Sequence, residues 1–416
     1  MAQLGKDIFA AGGALMAVEE AVTLLFERVL KVEGTETVAL LDADGRVLAE
    51  PLFAPVDLPP FDNSAVDGYA VRFEDLAKEG ATLLPVSARV AAGHICSALP
   101  GANAVRIFTG APVPEGMDTV FMQEDCKLEA DGRVSLPAGL SEGANRRLKG
   151  EDLHRGAEAL AAGRRLTPED IGLAAALGVP SLKVRRKLKA AVFSTGDEIV
   201  SPGESLFGAC VYDANRFLLQ SLLRRLGVEV TDLGILKDDP ALIDAALMDA
   251  ARLYDLVITS GGVSMGEEDH VKAAISKAGS LVFWKLAIKP GRPVAMGVIE
   301  GTPFVGLPGN PVAAFITFAY VARPLIAALN GALREPPHVL PVTAGFAYKK
   351  KQGRREFVRV SLKREAGEVI AEKYPVEGAG VLTSLTRTQG LVELPEEVTK
   401  VAPGDKVGFI DYGLIR

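Results

Sequence analysis

From Ala190 to about residue 333 the sequence alternates between strand-like and helix-like runs. AAVFST, VEVTDLGIL, DLVITS, LVFWKLAI, PVAMGVI and PFVGL are the strand-like runs; NRFLLQSLLRRLG, PALIDAALMDAARLY, HVKAAISKAG and VAAFITFAYVA are the helical ones. Strands joined by helices of this length form right-handed crossovers, so the segment folds as a doubly wound, mostly parallel sheet covered on both faces. Asp213 or Asn215 fits as the N-cap of the first helix, and Pro240 stands near the start of the second. In such a sheet the carboxyl ends of the strands share one edge, and ligands bind in the crevice there.

The loops at those strand ends are STGDE, LKDDP, SGGVSMGEED, KPGRP and GLPGNP. The first three carry Asp197, Glu198, Asp238, Asp239, Glu267, Glu268 and Asp269, while KLAIKPGR brings Lys285, Lys289 and Arg292. Capping and turn chemistry explains any one of these loops. It does not explain glycine and acid signatures on successive strand ends. Residues 258–271, ITSGGVSMGEEDHV, pose the sharpest case. Glycine turns after strands cradle phosphates, whereas carboxylates repel them; a divalent cation between the two reconciles them. His270, at a helix start, fits capping or packing better than metal ligation.

A chain of 416 residues exceeds one ordinary core, and its composition divides it. Residues 1–30 form an N-terminal helix on the sheet domain, with Leu15, Val18, Val22, Leu25 and Val29 at helical spacing. Residues 31–53 and 148–182 make a small mixed domain that flanks a β-rich insert at 54–147. The sheet domain covers 183–333, and 334–416, with FVRVSL, GLVELP and KVGFID, forms a C-terminal barrel or sandwich.

Net charge of -7 excludes a global basic field, so no nucleic-acid partner is expected and anions must be held locally. Cys96, Cys126 and Cys210 are widely spaced and the four histidines are scattered, which excludes a disulfide framework and a Cys/His metal centre and fits the cytoplasm. IFAAGGALMA resembles a short signal core, but Lys6 is neighboured by Asp7 and the helical pattern continues beyond it. VAAFITFAYVA is expected to stop at Arg323 and Pro324, too short for a membrane span.

Three stretches outside the sheet domain stand out. LPPFDNSAVDGYAV is explained as an Asx-turn at Asp62 and Asn63, which leaves Asp67 to be presented at a surface. RIFTGAPVPEGMDTV places Thr109 and Gly110 after a strand, offering a hydroxyl and a backbone N–H to an anion, or else a plain turn. GANRRLKGEDL sets Asn145, Arg146 and Arg147 near Glu151 and Asp152, either a solvated charge cluster or a phosphate and metal site. KVRRKLK, at 183–189, reads as a solvated boundary.

PPFDNSAVDGYAV, RIFTGAPVPEG, NRRLKGED, FSTGDE, YDANR, SGGVSMGEEDH, FWKLAIKPGRP and GLPGNP, in this order, resemble the signatures of the molybdopterin molybdenumtransferase family, which includes the C-terminal catalytic domain of gephyrin. The resemblance runs over nearly the whole chain. It implies a four-domain elongated subunit ending in a β-barrel, working as a homodimer with sites between subunits. It also implies insertion of molybdenum from molybdate into adenylylated molybdopterin, with Mg2+ and release of AMP. By matching motif, the functional residues are Asp67, Thr109, Asp152, Glu198, Asp238, Asp269, Lys285, Lys289 and, in GRREFVR, Arg359. Glu198, Asp238 and Asp269 would position Mg2+; Arg292 and the segments Ser260, Gly261, Gly262, Ser264 and Pro308, Gly309, Asn310 would hold substrate anions. One departure is Ala379, where some relatives carry a serine. The substrate's dithiolene supplies sulfur ligands, so a chain poor in Cys and His can handle this metal. The rivals are molybdopterin adenylyltransferase activity, tungstate in place of molybdate, and a dimeric scaffold; a molybdopterin adenylyltransferase and other proteins of cofactor biosynthesis are expected partners.

Overall fold

The computed structural model describes residues 15–237, 239–262 and 279–415, with 279–285 described by backbone alone. Its central sheet has six strands in the order Glu229–Leu236, Lys189–Thr195, Leu256–Ser260, Thr302–Leu307, Pro293–Ile299, Gly279–Lys285. The first four are mutually parallel, and Pro293–Ile299 runs antiparallel to both of its neighbours. Lys189–Thr195 lies between the strand that follows it in sequence and Leu256–Ser260, so the chain leaves it to one side and returns on the other. That reversal opens a crevice between the carboxyl ends of Lys189–Thr195 and Leu256–Ser260.

One face of the sheet, with Val192, Ile258 and Val305, packs on the helices Asn215–Arg225 and Pro311–Leu329 and on the N-terminal helix Val18–Arg28, which buries Val18, Ala21 and Leu25. The other face, with Phe193, Val257 and Phe304, packs on helix Pro240–Leu253 through Ile243 and Leu247. Helix Pro311–Leu329 differs from the expectation that Arg323 and Pro324 end it. A π-helical turn at Phe318–Ala322 leads straight into Arg323–Leu329, so the missing Pro324 N–H falls where the regular helical hydrogen-bond ladder is already interrupted. The result is a mostly apolar helix of 19 residues, interrupted by Arg323, long enough to cross a bilayer, yet 83% of its apolar window is buried inside the fold, as for a core helix.

LVFWKLAI also divides. Gly279–Lys285 stays in the sheet, but Ile288–Lys289 pairs with Arg355–Glu356 of the C-terminal region. That region is a closed barrel of five strands. Arg355–Glu365 pairs with Glu368–Lys373, then come Leu340–Ala344, Lys406–Asp411 and Gly390–Leu394, which pairs back to Arg355–Glu365. Phe346, Val358, Val360, Val392 and Phe409 fill it.

The insert is a curled six-stranded sheet with the order Thr119–Met122, Gly68–Val71, Ala104–Ile107, Thr82–Val90, Arg133–Leu136, Lys127–Leu128. Its flanks meet where Thr35–Ala39 pairs with Ser181–Arg185 and Leu52–Phe53 with Glu158–Leu160, over a core of Leu48, Leu166 and Val184. Thr167 and Asp170 form a capping box on helix Pro168–Ala176. The KVRRKLK stretch is tied down by ion pairs: Lys183 meets Glu50, and Arg186 holds Asp255 through two bonds of 2.7 and 2.8 Å.

Candidate functional site

The eight motifs gather into three clusters. The first is the sheet crevice, a cavity of about 690 Å3 whose floor is polar. Ser194 and Ser260 are in register on adjacent strands, and both are buried. Asn215 Nδ2 donates to Ser260 Oγ and to the Gly309 carbonyl, each at 2.7 Å, drawing together the YDANR, SGG and GLPGNP segments. Asn215 Oδ1 and Ser194 Oγ are buried without partners, so the crevice keeps an acceptor and a hydroxyl free for a ligand.

Glycine is required at the crevice walls. Gly261 has φ +91°, and a Cβ there would lie 2.6 Å from the Thr195 carbonyl oxygen. Gly196 has φ +144°, and a Cβ would meet Glu198 Oε2 at 2.6 Å. Glu198 is exposed at this mouth, with its side chain in neither a hydrogen bond nor an ion pair among the described residues. Asp238, Ser264 and Asp269 lie outside the described residues, as does the side chain of Lys285.

Beneath this wall lies a charge network that sequence reasoning left unassigned. Arg216, 6% exposed, donates to Asp213 at 2.9 Å and to both oxygens of Asp232 at 2.6 and 2.7 Å. Asp213 also accepts the Arg216 backbone N–H, so it caps the helix while Asn215 turns inward. The signal was present in YDANR, where two polar residues compete for one cap.

The second cluster is a basic pocket of about 340 Å3 between sheet and barrel, lined by Lys289, Arg292, Pro308, Asn310, Arg359 and Lys373, among others. The KPGRP loop is placed here because it leaves the carboxyl end of Gly279–Lys285 and enters the antiparallel Pro293–Ile299. Lys289 Nζ is 3.2 Å from Glu356 and sits over the Tyr348 ring, 5.8 Å from its centroid. Tyr348 donates to the same carboxylate at 2.9 Å; burial and that neighbour push its hydroxyl far up. Arg359 donates to Ser384 Oγ and the Gly378 carbonyl, and burial pushes it below the usual guanidinium range. Ala379 lines this pocket, and its carbonyl accepts the Val312 N–H at 2.9 Å. Asn310 lines both pocket and crevice, so the two adjoin.

The third cluster lies in the insert. Arg146–Arg147 pairs with Asn63–Ser64, and Ser64 exchanges backbone bonds with Gly110 and Ala111, so DNSAVDGYA, FTGAP and NRRLKGED share one surface. The donors that the sequence reading offers to an outside anion are already engaged. Thr109 gives its N–H and hydroxyl to Asp67, while Gly110 gives its N–H to the Ser64 carbonyl. Gly68 follows Asp67 because a Cβ there would sit 1.7 Å from the Phe121 carbonyl oxygen. Arg146 pairs with Asp62, Arg147 with Glu151 and Lys149 with Asp57, whereas Asp152 is exposed and in no ion pair among the described residues.

Three family profiles match in succession: the MoeA N-terminal region (domain I and II) over 16–178, the "Probable molybdopterin binding domain" over 191–328, and the MoeA C-terminal region (domain IV) over 341–412. The chain is 39% identical over 396 residues to the molybdopterin molybdenumtransferase of Haemophilus influenzae, covering 94% of this chain and 98% of that protein. It is 34% identical to the protein of that name from Nostoc sp., covering 94% and 92%. The crystal structure of the molybdopterin biosynthesis moeA protein from Pyrococcus horikoshii superposes with a TM-score of 0.80 at 30% identity, covering 96% of this chain and 100% of that one.

Proposed function

This chain belongs to the molybdopterin molybdenumtransferase family, transferases of molybdenum cofactor biosynthesis, and from that premise we propose how its three clusters divide the work. Adenylylated molybdopterin occupies the sheet crevice and molybdate the adjoining basic pocket. The observation that supports this division is Asn310, which lines both cavities and so sets them side by side.

The crevice offers close backbone approach at Gly261 and Gly196, with the unpartnered Asn215 Oδ1 and Ser194 Oγ for substrate donors and acceptors. Lys289, Arg292 and Arg359 supply charge for an oxyanion, with Arg359 fixed in direction by Ser384 and Gly378. A water attacks the adenylyl phosphorus, directly or after an oxygen of molybdate has taken the adenylyl group; the phosphoanhydride bond breaks, the molybdopterin phosphate is the leaving group, and AMP is released. The two dithiolene thiols then bond to molybdenum and displace one molybdate oxygen, which takes their protons and leaves as water. Ala379 puts no hydroxyl into the oxyanion pocket, so the neighbouring cations carry that contact.

Glu198 fits Mg2+ as an exposed hard-oxygen donor whose side chain has no partner among the described residues, and a magnesium site needs only one or two carboxylates beside phosphate oxygens. Among the described residues no cluster of three or more His, Cys, Asp or Glu is close enough to form a protein cage. Glu198 would hold the ion, with Asp238 and Asp269 as its partners by motif. Such an ion neutralises charge on the phosphoanhydride.

Asp67 and Thr109 belong to the insert and Asp152 to the flank just beyond it, whereas the crevice and basic pocket belong to sheet and barrel. A homodimer in which one subunit's insert completes the partner's crevice joins them in one site. Incubating the purified chain with adenylylated molybdopterin, Mg2+ and either molybdate or tungstate, and measuring AMP release and metal retention, tests this function. Oxyanion-dependent AMP release is expected; its absence overturns the assignment, and unequal rates identify the preferred oxyanion.

A further inference from the structure

A third cavity, of about 390 Å3, lies away from the crevice and the basic pocket, where the N-terminal helix, the small mixed domain, helix Pro311–Leu329 and the barrel meet. Its size falls in the roughly 300–1,000 Å3 range of small-molecule sites. Val18, Val22, Phe26, Leu226 and Leu333 give it apolar walls.

Its charges do not balance. Arg334 is paired with Glu19, and Arg355 with Glu393 at 2.9 Å and Glu396 at 3.2 Å. Arg165, Arg225 and Arg323 remain, with the exposed Glu335 as the one further carboxylate in the lining. The Arg323 guanidinium makes no hydrogen bond and no ion pair among the described residues. Arg165 donates only to the carbonyls of Gly45 and Leu226, through one nitrogen. Burial holds both below the usual guanidinium range, and Arg323 depresses Arg165 further. The exposed Glu335 is the one carboxylate that offsets both, and an anion between the two half-buried guanidinium groups would offset them further.

Two further observations point to a ligand. The Tyr320 hydroxyl is buried with no hydrogen-bond partner, and Tyr320 lines the same cavity. The π-helical turn Phe318–Ala322 carries Tyr320 and ends directly before Arg323, and turns of this kind recur at functional sites.

We propose that this junction cavity binds an organic phosphate monoester, with the dianion between Arg165 and Arg323 and an apolar body against Val22, Phe26 and Leu333. Two guanidinium forks match the charge and the oxygen geometry of a phosphate. The Tyr320 hydroxyl supplies a further donor. This site is independent of the catalytic assignment.

Calorimetric titration of the full chain with phenyl phosphate tests it, with inorganic phosphate and benzoate as comparison probes. Phenyl phosphate should saturate one site per chain and bind at least about tenfold more tightly than either comparison probe. Arg323→Met should abolish that binding and Arg165→Met weaken it by about tenfold. Arg359→Ala, in the basic pocket, should leave it unchanged. Unliganded Arg323→Met should also unfold at a higher temperature than the parent, since it removes a cation without a partner. Absence of saturable binding, equal affinity for the three probes, or binding retained in Arg323→Met overturns the proposal. A lower unfolding temperature for unliganded Arg323→Met would mark the residue as structural and would overturn it too.

Discussion

Asp67 Oδ1 accepts two hydrogen bonds from a single residue, the backbone N–H and the hydroxyl of Thr109, both at 2.8 Å. These bonds hold the half-buried carboxyl below its usual range and fix its direction. Under the proposed function, Thr109 would act on substrate through Asp67. Thr109→Val keeps the backbone bond and loses the hydroxyl, so AMP release should fall by about tenfold. Asp67→Asn should lower it by about 100-fold or more. Unfolding temperature should change in neither variant; a parallel fall in stability would assign the pair a structural role.

The separation of Asp67 from Glu198 makes the dimer testable by mixing. Asp67→Asn and Glu198→Gln subunits, each inactive alone, should recover about a quarter of parental activity after random reassortment, because half the dimers are mixed and each has one intact site. No recovery in reassorted dimers would place both residues in one subunit's site.

Arg216 is the sole partner of the buried Asp213 side chain among the described residues, so Arg216→Met leaves a carboxylate with 4% exposure one backbone N–H and no counter-charge. A loss of about 3 kcal/mol in stability is expected by chemical denaturation. Asp213→Asn with Arg216→Met should recover part of it. A loss below about 1 kcal/mol would show that the network is dispensable.

The pH response follows from carboxylates such as Asp255. Burial raises its pKa, but Arg186 and the Lys189 N–H outweigh burial and leave it below the usual value. Arg216 does the same for Asp232 against burial, and Arg164 for Asp170. Because the folded values are depressed, these groups contribute stability above about pH 4, and it is lost as pH falls through the folded values. Glu393 has the opposite sign: burial raises it, so it costs stability as pH rises above about 4.3. Thermal unfolding from pH 7 to 3 should therefore show a steep acid limb. Asp255→Asn should flatten that limb, and an unchanged slope would contradict the assignment.

Gly261→Ala should destabilise the sheet domain by roughly 1–3 kcal/mol, since both its φ and the 2.6 Å approach to Thr195 disfavour a side chain. AMP release should fall with it. Gly110→Ala is the comparison: its φ is +79°, but a Cβ would meet nothing within 4 Å.

The sheet domain was legible because strand and helix periodicities are local, and the order of its loops along one edge follows from parallel topology. What could not be read was the use of individual residues. Asn215 and Asp213 both suit a helix cap, and only the inward path to Ser260 and Gly309 decides between them. Thr109 and Gly110 read equally well as anion donors or as a turn, because their acceptors, Asp67 and Ser64, are more than forty residues away. Pro324 is a helix breaker by local rules, and only a π turn packed in the core lets the helix continue. The motifs were visible one by one; their division between insert and sheet depends on contacts that local spacing does not encode.

Ile288–Lys289 leaves the central sheet, adds a short strand beside Arg355–Glu356 and returns to the sheet at Pro293. The chain thus sews its two largest C-terminal units together in the middle of the oxyanion pocket, far from the single peptide joint at which a linker would connect them. Trimming the chain after residue 333 would strip that stitch of its strand partner and Lys289 of Glu356. The sheet is long enough to stand as a fold in its own right, but the basic pocket is hemmed into a seam, and any swing of the barrel would drag Lys289 with it.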